Sequence, residues 1–117
     1  FHCSLMQPAA DAMAQALADV TIHAPVVPLV SNVLASAISD PDEIRRRLVE
    51  QVTGTVRWRE CVLYMASHGV TRFLEIGSGK VLSGLVKRIA DGAIGTAVGG
   101  PNDIDAARDA LAAARAV

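Results

Sequence analysis

Between residues 71 and 89 the sequence has the pattern of a strand, a tight loop and a helix. The run from Thr71 to Ile76 is typical of a strand, and Gly77-Ser78-Gly79 follows it as a turn. The apolar residues that come next recur at helical spacing and predict a buried stripe, formed by Val81, Leu82, Leu85, Val86 and Ile89. A strand that leads through a short loop into a helix is the repeating unit of α/β folds, so this segment indicates the fold class.

The clearest helix start in the chain lies at Asp40-Pro41-Asp42-Glu43. Asp40 can cap the first amide groups, Pro41 suits the first helical position, and Glu43 completes a capping box. The three arginines that follow, Arg45, Arg46 and Arg47, spread around a helix rather than converge, and we expect them to form a solvated face. This helix is therefore predicted to begin at Pro41 without an anion site of its own.

The other segments continue the alternation. Apolar periodicity predicts helices over residues 4–20 and 56–68, with Gly69 ending the second, and a last helix after Pro101. Its predicted inner positions are Ile104, Ala107, Leu111 and Ala114. Short apolar runs bounded by turn formers predict strands from Val27 or Pro28 to Val33 and from Ile94 to Val98.

This alternation predicts a mainly parallel sheet flanked by helices. Three predicted strands are few for such a sheet, which would be left with exposed edges and an uncovered face. The chain also begins with Phe1 rather than Met. We therefore expect the fold to continue in sequence outside these 117 residues, so that the chain is a piece of a longer protein.

The composition is that of a globular protein. Hydrophobic residues make up 51% and charged residues 20% of the chain, and the formal net charge is -1, so no strongly charged partner is implied. Aromatic residues make up only 3%, which leaves few stacking surfaces for single-stranded nucleic acid. There is no basic leader segment and no apolar run of about twenty residues. We expect a soluble, cytoplasmic protein that binds neither nucleic acid nor a membrane.

Most of the individually suggestive residues have an ordinary structural explanation. Cys3 and Cys61 lack metal-ligand spacing, so we expect reduced thiols and no metal site. His23 lies in a loop and His68 at a helix end, and neither is predicted to be catalytic. Gly77-Ser78-Gly79-Lys80 lacks the first glycine and the hydroxyl of a phosphate-binding P-loop. Its glycines are expected to turn the backbone, and the helix that follows could favour an anion at its N-terminus.

Several longer phrases, in order and at the expected spacing, resemble one family along nearly the whole chain. The first phrase is Phe1-His2-Cys3-Ser4-Leu5-Met6-Gln7-Pro8-Ala9-Ala10. The others are His23-Ala24-Pro25 with Pro28 and Asn32-Val33, Leu48-Val49-Glu50-Gln51 with Val56-Arg57-Trp58, Tyr64-Met65-Ala66 with Gly69-Val70, and the run from Glu75 to Ile89. Together they resemble the malonyl-CoA:acyl carrier protein transacylases, in which the first phrase carries the active-site histidine.

The resemblance implies a fold, a place within it and an activity. Residues 1–117 would be the C-terminal segment of an α/β-hydrolase-like large subdomain, without the serine-bearing N-terminal half and the ferredoxin-like subdomain. The parent protein would be an acyltransferase, an acyl-carrier-protein S-malonyltransferase of fatty-acid biosynthesis. It would transfer malonyl from the coenzyme A thioester, malonyl-CoA, to the phosphopantetheine thiol of acyl carrier protein, with no cofactor.

The resemblance also implies the roles of His2 and Gln51. A serine hydroxyl needs a base to act as a nucleophile, and an imidazole suits that task. His2 would be this base, and the backbone carbonyl of Gln51 would orient it. No G-x-S-x-G phrase is present, since Ser78 and Ser83 stand in other contexts. We expect the serine, the carboxylate-binding arginine and the oxyanion-hole donors to lie in the missing N-terminal half, and the segment alone to be inactive.

Three alternatives remain open at this point, one of which is a purely structural partner that associates with a separate N-terminal half. The chain could be a non-catalytic module that binds a carrier protein, with Lys80, Lys87 and Arg88 available to an acidic partner. It could also be a fragment of a polyketide synthase acyltransferase domain, since those relatives share the histidine and methionine phrase. The Gly-Lys-Val-Leu-Ser-Gly-Leu-Val-Lys-Arg run of residues 79–88 is more similar to the free-standing enzyme.

Overall fold

Helices and short strands alternate through the chain, whose structure, a computed structural model, describes residues 1–115. A 3-10 helix, Ser4–Met6, leads into the first α-helix. The α-helices are α1 (Gln7–Ala18), α2 (Pro41–Thr53), α3 (Trp58–Ser67), α4 (Val81–Ile89) and α5 (Pro101–Arg115). The strands are β1 (Leu29–Val30), β2 (Ala37–Ile38), β3 (Arg72–Ile76) and β4 (Ile94–Val98). The chain divides into one unit of residues 1–64 and a second that begins at Met65.

The second unit is built on the parallel pair β3 and β4, joined through α4. The register runs from Arg72 opposite Ile94 to Ile76 opposite Val98, and α4 packs on both strands. Parallel neighbours need a crossover connection, which is why a helix stands between two strands that pair directly. The α/β fold class and the two predicted strands are confirmed.

The first predicted strand is different from what we expected. Only Leu29 and Val30 are extended with a partner, and they pair antiparallel with Ala37 and Ile38 in a separate two-stranded sheet. The preceding prolines have no amide hydrogen to donate to a ladder, and the turn between the strands uses a backbone bond from the Ala35 amide to the Ser31 carbonyl, 2.8 Å long. The prediction that this strand extends to Val33 within a parallel sheet is wrong.

The start of α2 follows the prediction for Asp40, whose carboxylate accepts a 2.8 Å hydrogen bond from the Glu43 amide. The Glu43 side chain does not make the second hydrogen bond of a capping box, the one back to the Asp40 amide. Its carboxylate accepts instead from Arg46 at 2.6 Å and Arg47 at 2.8 Å, and these hydrogen bonds, Arg47 first, hold the pKa of Glu43 below its usual value. Arg45 also departs from the solvated face, because its guanidinium donates to the Leu17 carbonyl.

The end of α3 also follows the sequence. Gly69 has a φ of +88°, the left-handed conformation that glycine adopts without a side-chain clash. Its amide donates to the Ala66 carbonyl at 3.1 Å, and the Val70 amide donates to the Met65 carbonyl at 3.0 Å. This pair of bonds is the Schellman motif, which ends a helix by satisfying its last carbonyls.

Burial in the first unit is centred on α1, α2 and α3. Its buried apolar side chains are Ala10, Ile44, Cys61 and Val62. The Cys61 thiol donates to the Ser31 carbonyl at 3.5 Å, and burial raises the pKa of this thiol. Cys61 and the exposed Cys3 are both free thiols. Within residues 1–115, no helix is both long enough and apolar enough to cross a membrane.

The second unit buries less of its apolar surface than the sequence predicted. Val86 is buried, but Val81 is 73% and Leu82 39% exposed, so the predicted stripe of α4 is only partly correct. On α5 Ala107 is buried, whereas two predicted inner residues, Ile104 and Leu111, are exposed. Both line an open groove of about 650 Å³ along β3, β4 and α5. Among the described residues, the two strands β3 and β4 form a sheet too small to bury the apolar faces of both helices. Part of these apolar side chains therefore remains exposed to water.

Gly95 lets β4 approach α4 closely, and this contact gives a stability prediction. A Cβ atom at Gly95 would lie 2.6 Å from the Ser83 carbonyl oxygen and 3.1 Å from its Cα, both backbone atoms that cannot turn aside. We expect Gly95→Ala to lower the free energy of unfolding by about 1–3 kcal/mol, as overpacking does. Urea unfolding of the full-length protein that carries this segment measures the change.

The matched control is Gly84→Ala. Gly84 lies inside α4, and a Cβ atom there would have no neighbour within 4 Å. Alanine should therefore be neutral or stabilise by up to about 1 kcal/mol, because it restricts the unfolded chain and suits a helix. Equal effects of the two substitutions would contradict the close approach of β4 to α4.

Candidate active site

One hydrogen bond connects the His2 ring to the C-terminal end of α2. Its Nδ1 atom lies 2.7 Å from the backbone carbonyl oxygen of Gln51, 49 residues later in the sequence. The backbone at His2 has a φ of +58°, a left-handed conformation that is unusual for a residue with a side chain. Such conformations cost energy and are held in place by surrounding contacts, and they cluster at functional sites.

The Gln51 carbonyl is available to His2 because α2 ends two residues later. The last four carbonyls of a helix have no partner within it. The chain leaves α2 at Gly54, whose backbone is extended and whose amide donates to the Glu50 carbonyl at 2.9 Å. Glu50 is thereby satisfied within the helix end, while the Gln51 carbonyl accepts from His2.

This bond determines which ring nitrogen of His2 can act as a base. A carbonyl oxygen only accepts, so Nδ1 carries the hydrogen and the neutral ring keeps its lone pair on Nε2. The geometry is that of a general base held by a neutral acceptor, with Nε2 free of a hydrogen-bond partner among the residues that the structure describes.

The side chain of Gln51 makes a second contact. Its Oε1 atom accepts a hydrogen bond from Nδ2 of Asn32 at 3.1 Å, in a partly buried position. Asn32 follows β1 and is held through its own backbone, since its carbonyl accepts from the Arg57 amide at 2.8 Å. The structure thus brings His2, Gln51 and Asn32 into one chain of hydrogen bonds. The sequence singled out the first two by resemblance and gave no role to Asn32.

Comparison with known proteins shows which enzymes the chain resembles. The chain is 46% identical over 106 residues to the malonyl CoA-acyl carrier protein transacylase of Escherichia coli K12, a match that covers 91% of the chain and 34% of that protein. The acyl-carrier-protein S-malonyltransferase of Bartonella henselae superimposes on it with a TM-score of 0.87 at 49% identity, over 96% of the chain and 36% of that structure. Over this shared third, the chain is homologous to the malonyl CoA-acyl carrier protein transacylases.

Another solved member of the transacylase family is a malonyl-transacylase in complex with its type II PKS acyl-carrier protein. It matches with a TM-score of 0.77 at 40% identity, over 86% of the chain and 33% of that structure. No protein-family model matches the chain. The chain spans about a third of the length of the transacylases that it matches, so the activity of a whole transacylase does not follow from the segment alone.

The serines of the second unit have structural surroundings, in keeping with their exclusion as nucleophiles. The Ser83 hydroxyl is buried and donates to the Glu75 carboxylate at 2.6 Å. A serine nucleophile must instead give its proton to a base such as histidine. Ser78 lies exposed in the loop before α4. Among the described residues of the second unit, neither serine has a histidine as its hydrogen-bond partner, which a serine nucleophile would need.

Glu75 also occupies the N-terminus of α4, the helix end that could have favoured an anion after the Gly-Ser-Gly-Lys loop. Its carboxylate accepts from the Ser83 amide at 2.7 Å and the Leu82 amide at 3.3 Å. Lys80, at the capping position of α4, has no side-chain bond of this kind. Sequence reasoning missed this cap, because Glu75 is on β3 rather than beside the helix. The only available signal was a carboxylate just before a glycine loop that leads into a helix.

The basic residues considered for an acidic partner are all exposed. Lys80 and Lys87 line one groove of about 500 Å³ in the second unit, whereas Arg88 does not. Asp103 lines the same groove and offsets part of its positive charge. His23 is exposed in the first unit, and the ring of His68 lies 3.1 Å from the Ser67 hydroxyl.

The Glu75 cap makes stability depend on pH in a defined direction. The Ser83 hydroxyl, then the Ser83 amide, lower the pKa of Glu75. A group whose pKa is lower in the folded state stabilises the fold above its unfolded pKa, about 4.3 for glutamate, and loses that contribution as the pH falls through the folded value. We expect Glu75→Gln to destabilise the full-length protein at neutral pH, with the difference from the unsubstituted protein narrowing in acid.

Urea unfolding of both proteins between about pH 7 and about pH 3 measures this difference. Asp91→Asn is the control, since Asp91 is an exposed carboxylate that makes no hydrogen bond or ion pair within the described residues. A difference for Glu75→Gln that stayed constant across the pH range would contradict the capping role.

Proposed function

We propose that this segment supplies the general base of a malonyl-CoA:acyl carrier protein transacylase. His2 would be the base and the Gln51 carbonyl its orienting acceptor. The observation that carries the proposal is the 2.7 Å hydrogen bond from His2 Nδ1 to that carbonyl, in a chain that matches the transacylase family over 91% of its length. A ring fixed through Nδ1 presents Nε2 to a nucleophile, which is the requirement of serine activation.

The reaction would proceed in two acyl transfers. In the first, Nε2 of His2 takes the proton of a serine hydroxyl as the serine oxygen attacks the malonyl thioester, and the imidazolium then gives that proton to the departing coenzyme A sulfur. In the second, Nε2 takes the proton from the phosphopantetheine thiol as its sulfur attacks the malonyl-serine, and the proton returns to the serine oxygen. Each step conserves protons and needs no cofactor and no metal.

The serine, the malonyl-binding arginine and the oxyanion-hole donors would come from the part of the transacylase outside this chain. That part amounts to about two thirds of the relatives, and these 117 residues contain no G-x-S-x-G phrase. We propose that residues 1–117 form the C-terminal segment of the large subdomain. The open apolar groove along β3, β4 and α5 supports this domain assignment, since a continued fold would cover it.

Acyl carrier protein would be the acceptor partner and malonyl-CoA the donor. The match to a malonyl-transacylase in complex with its acyl-carrier protein supports this pairing. The exposed Lys80, Lys87 and Arg88 are compatible with an acidic carrier, so a module that only binds the carrier stays an alternative. That relative serves a type II polyketide carrier, so a polyketide pathway is the second candidate context. The cytoplasmic location also stays a prediction.

The roles of His2 and Gln51 predict unequal effects of alanine in the full-length transacylase. His2→Ala removes the base and should lower kcat/KM by about 10²–10⁴-fold or more. Gln51→Ala keeps the backbone carbonyl and should cost no more than about tenfold. Transfer of radiolabelled malonyl from malonyl-CoA to holo-acyl carrier protein measures both. His23→Ala, an exposed histidine outside the site, is the control; comparable losses for His2→Ala and Gln51→Ala would contradict these roles.

The segment by itself should not transfer malonyl groups. The reason is chemical, because a base without the serine that it serves cannot form the acyl intermediate. The same radiolabel assay on the purified 117-residue polypeptide should show no more label on the carrier protein than a heat-denatured sample does. Turnover above that background would mean that the segment contains a nucleophile of its own.

A further inference from the structure

Asn32 is the residue through which the site is connected to the turn after β1. Its side-chain amide donates from Nδ2 to Oε1 of Gln51 at 3.1 Å, while its carbonyl accepts from the Arg57 amide at 2.8 Å. One residue therefore contacts both the end of α2, through Gln51, and the start of α3, through Arg57. No other side chain among the described residues hydrogen-bonds to the amide group of Gln51.

The backbone that carries Asn32 is itself firmly held. The neighbouring Ser31 is only 4% exposed, its amide donates to the Ser36 carbonyl at 3.1 Å, and its carbonyl accepts from the Ala35 amide at 2.8 Å. The buried Cys61 thiol donates to the same Ser31 carbonyl. A side chain that projects from such a turn starts from a fixed point, so its hydrogen bond can restrain a partner.

The partner, Gln51, needs such restraint. It lies in the last turn of α2, where helices fray and the intrahelical bonds run out. Its carbonyl direction depends on the backbone torsions of this turn, and the hydrogen bond to His2 depends on that direction. A contact that holds the Gln51 side chain reduces the freedom of the whole residue, including the carbonyl.

We propose that Asn32 is a positioning residue for the transacylase reaction. By holding the side chain of Gln51, it fixes the main-chain carbonyl that keeps the His2 ring in the Nδ1–H form with Nε2 available. This inference rests on the proposed function, because it requires His2 to be the base. In this role Asn32 acts through its hydrogen bond to Gln51.

The test is a double-mutant cycle in the full-length transacylase with Asn32→Ala, Gln51→Ala and the double variant. Asn32→Ala should lower kcat by about tenfold with the KM for malonyl-CoA unchanged, the effect of losing one hydrogen bond that positions a catalytic group. The double variant should be no slower than the slower single variant, because both substitutions remove the same contact. Effects that multiply, or a loss confined to KM, would overturn the proposal.

A spectroscopic readout separates positioning from general damage to the fold. The ¹⁵N chemical shifts of the His2 ring should report hydrogen on Nδ1 in the unsubstituted enzyme and a mixture of tautomers in Asn32→Ala. Asn32→Asp should restore both the shifts and kcat, since the Gln51 amide can rotate and donate to the carboxylate. Asn102→Ala, an exposed asparagine on α5, is the matched control. Unchanged ring shifts in Asn32→Ala would overturn the proposal.

The outcomes also separate this inference from the function on which it rests. If the unsubstituted full-length protein transfers no malonyl, or if His2→Ala keeps full activity, the proposed function fails. If His2→Ala is inactive while Asn32→Ala keeps its kcat, only the positioning role fails. If Asn32→Ala does not fold, Gln51→Ala removes the same hydrogen bond and leaves the turn at Asn32 in place. A ¹⁵N spectrum of that variant without any change of tautomer would then overturn the proposal.

Discussion

The hydrogen bond from His2 to Gln51 depends on the place where α2 ends. A helix continued by one more turn would direct the Gln51 carbonyl to an amide of its own helix and leave the imidazole without an acceptor. Gly54 ends α2 in a crowded position, since a Cβ atom there would lie 3.0 Å from the Glu50 carbonyl oxygen and 3.1 Å from Cγ1 of Val33. The helix end therefore packs directly on the turn after β1. The same packing brings Asn32 within reach of Gln51, so the acceptor for His2 and the restraint on that acceptor have one structural origin.

The sequence predicted helix ends correctly where one residue determines the local backbone structure. Asp40 predicted the start of α2 and Gly69 the end of α3, because a capping carboxylate and a left-handed glycine act within a few residues. Strands β3 and β4 were also predicted, as each is five residues long, contains apolar residues and is bounded by turn formers. A strand was also predicted over the residues of β1, but its short length and antiparallel pairing with β2 were not. That pairing depends on the turn that includes Ala35, with a φ of +53° that no local pattern indicated. The predicted burial of Ile104 and Leu111 was wrong for a different reason. Their helical spacing indicates one apolar face, but spacing does not reveal whether another layer covers that face.

The candidate site shows the same limit more sharply. Composition and position gave His2 no role. His2 and Gln51 are 49 residues apart, and no sequence pattern pairs a histidine with a carbonyl at that distance. The resemblance to the transacylases supplied that pair, and the structure supplied its geometry. Asn32 was part of a resembling phrase, yet its contact with Gln51 is made between side chains from a turn and a helix end that only the folded chain brings together. Glu75 is comparable: a carboxylate on a strand caps a helix seven and eight residues later, across a glycine loop whose path the sequence does not specify.

A backbone carbonyl as the acceptor for His2 differs from a carboxylate in its charge and in what controls its position. A carboxylate would carry a charge that must be desolvated or paired, whereas a carbonyl at a helix C-terminus offers partial negative charge without that requirement. It has no side chain that a substitution can remove, so its position is controlled by the residues that shape the backbone around it. In this chain these are Gly54, which ends the helix, and Asn32, which holds Gln51 from the side. The orientation of the His2 ring thus depends on the residues that shape the backbone at the end of α2.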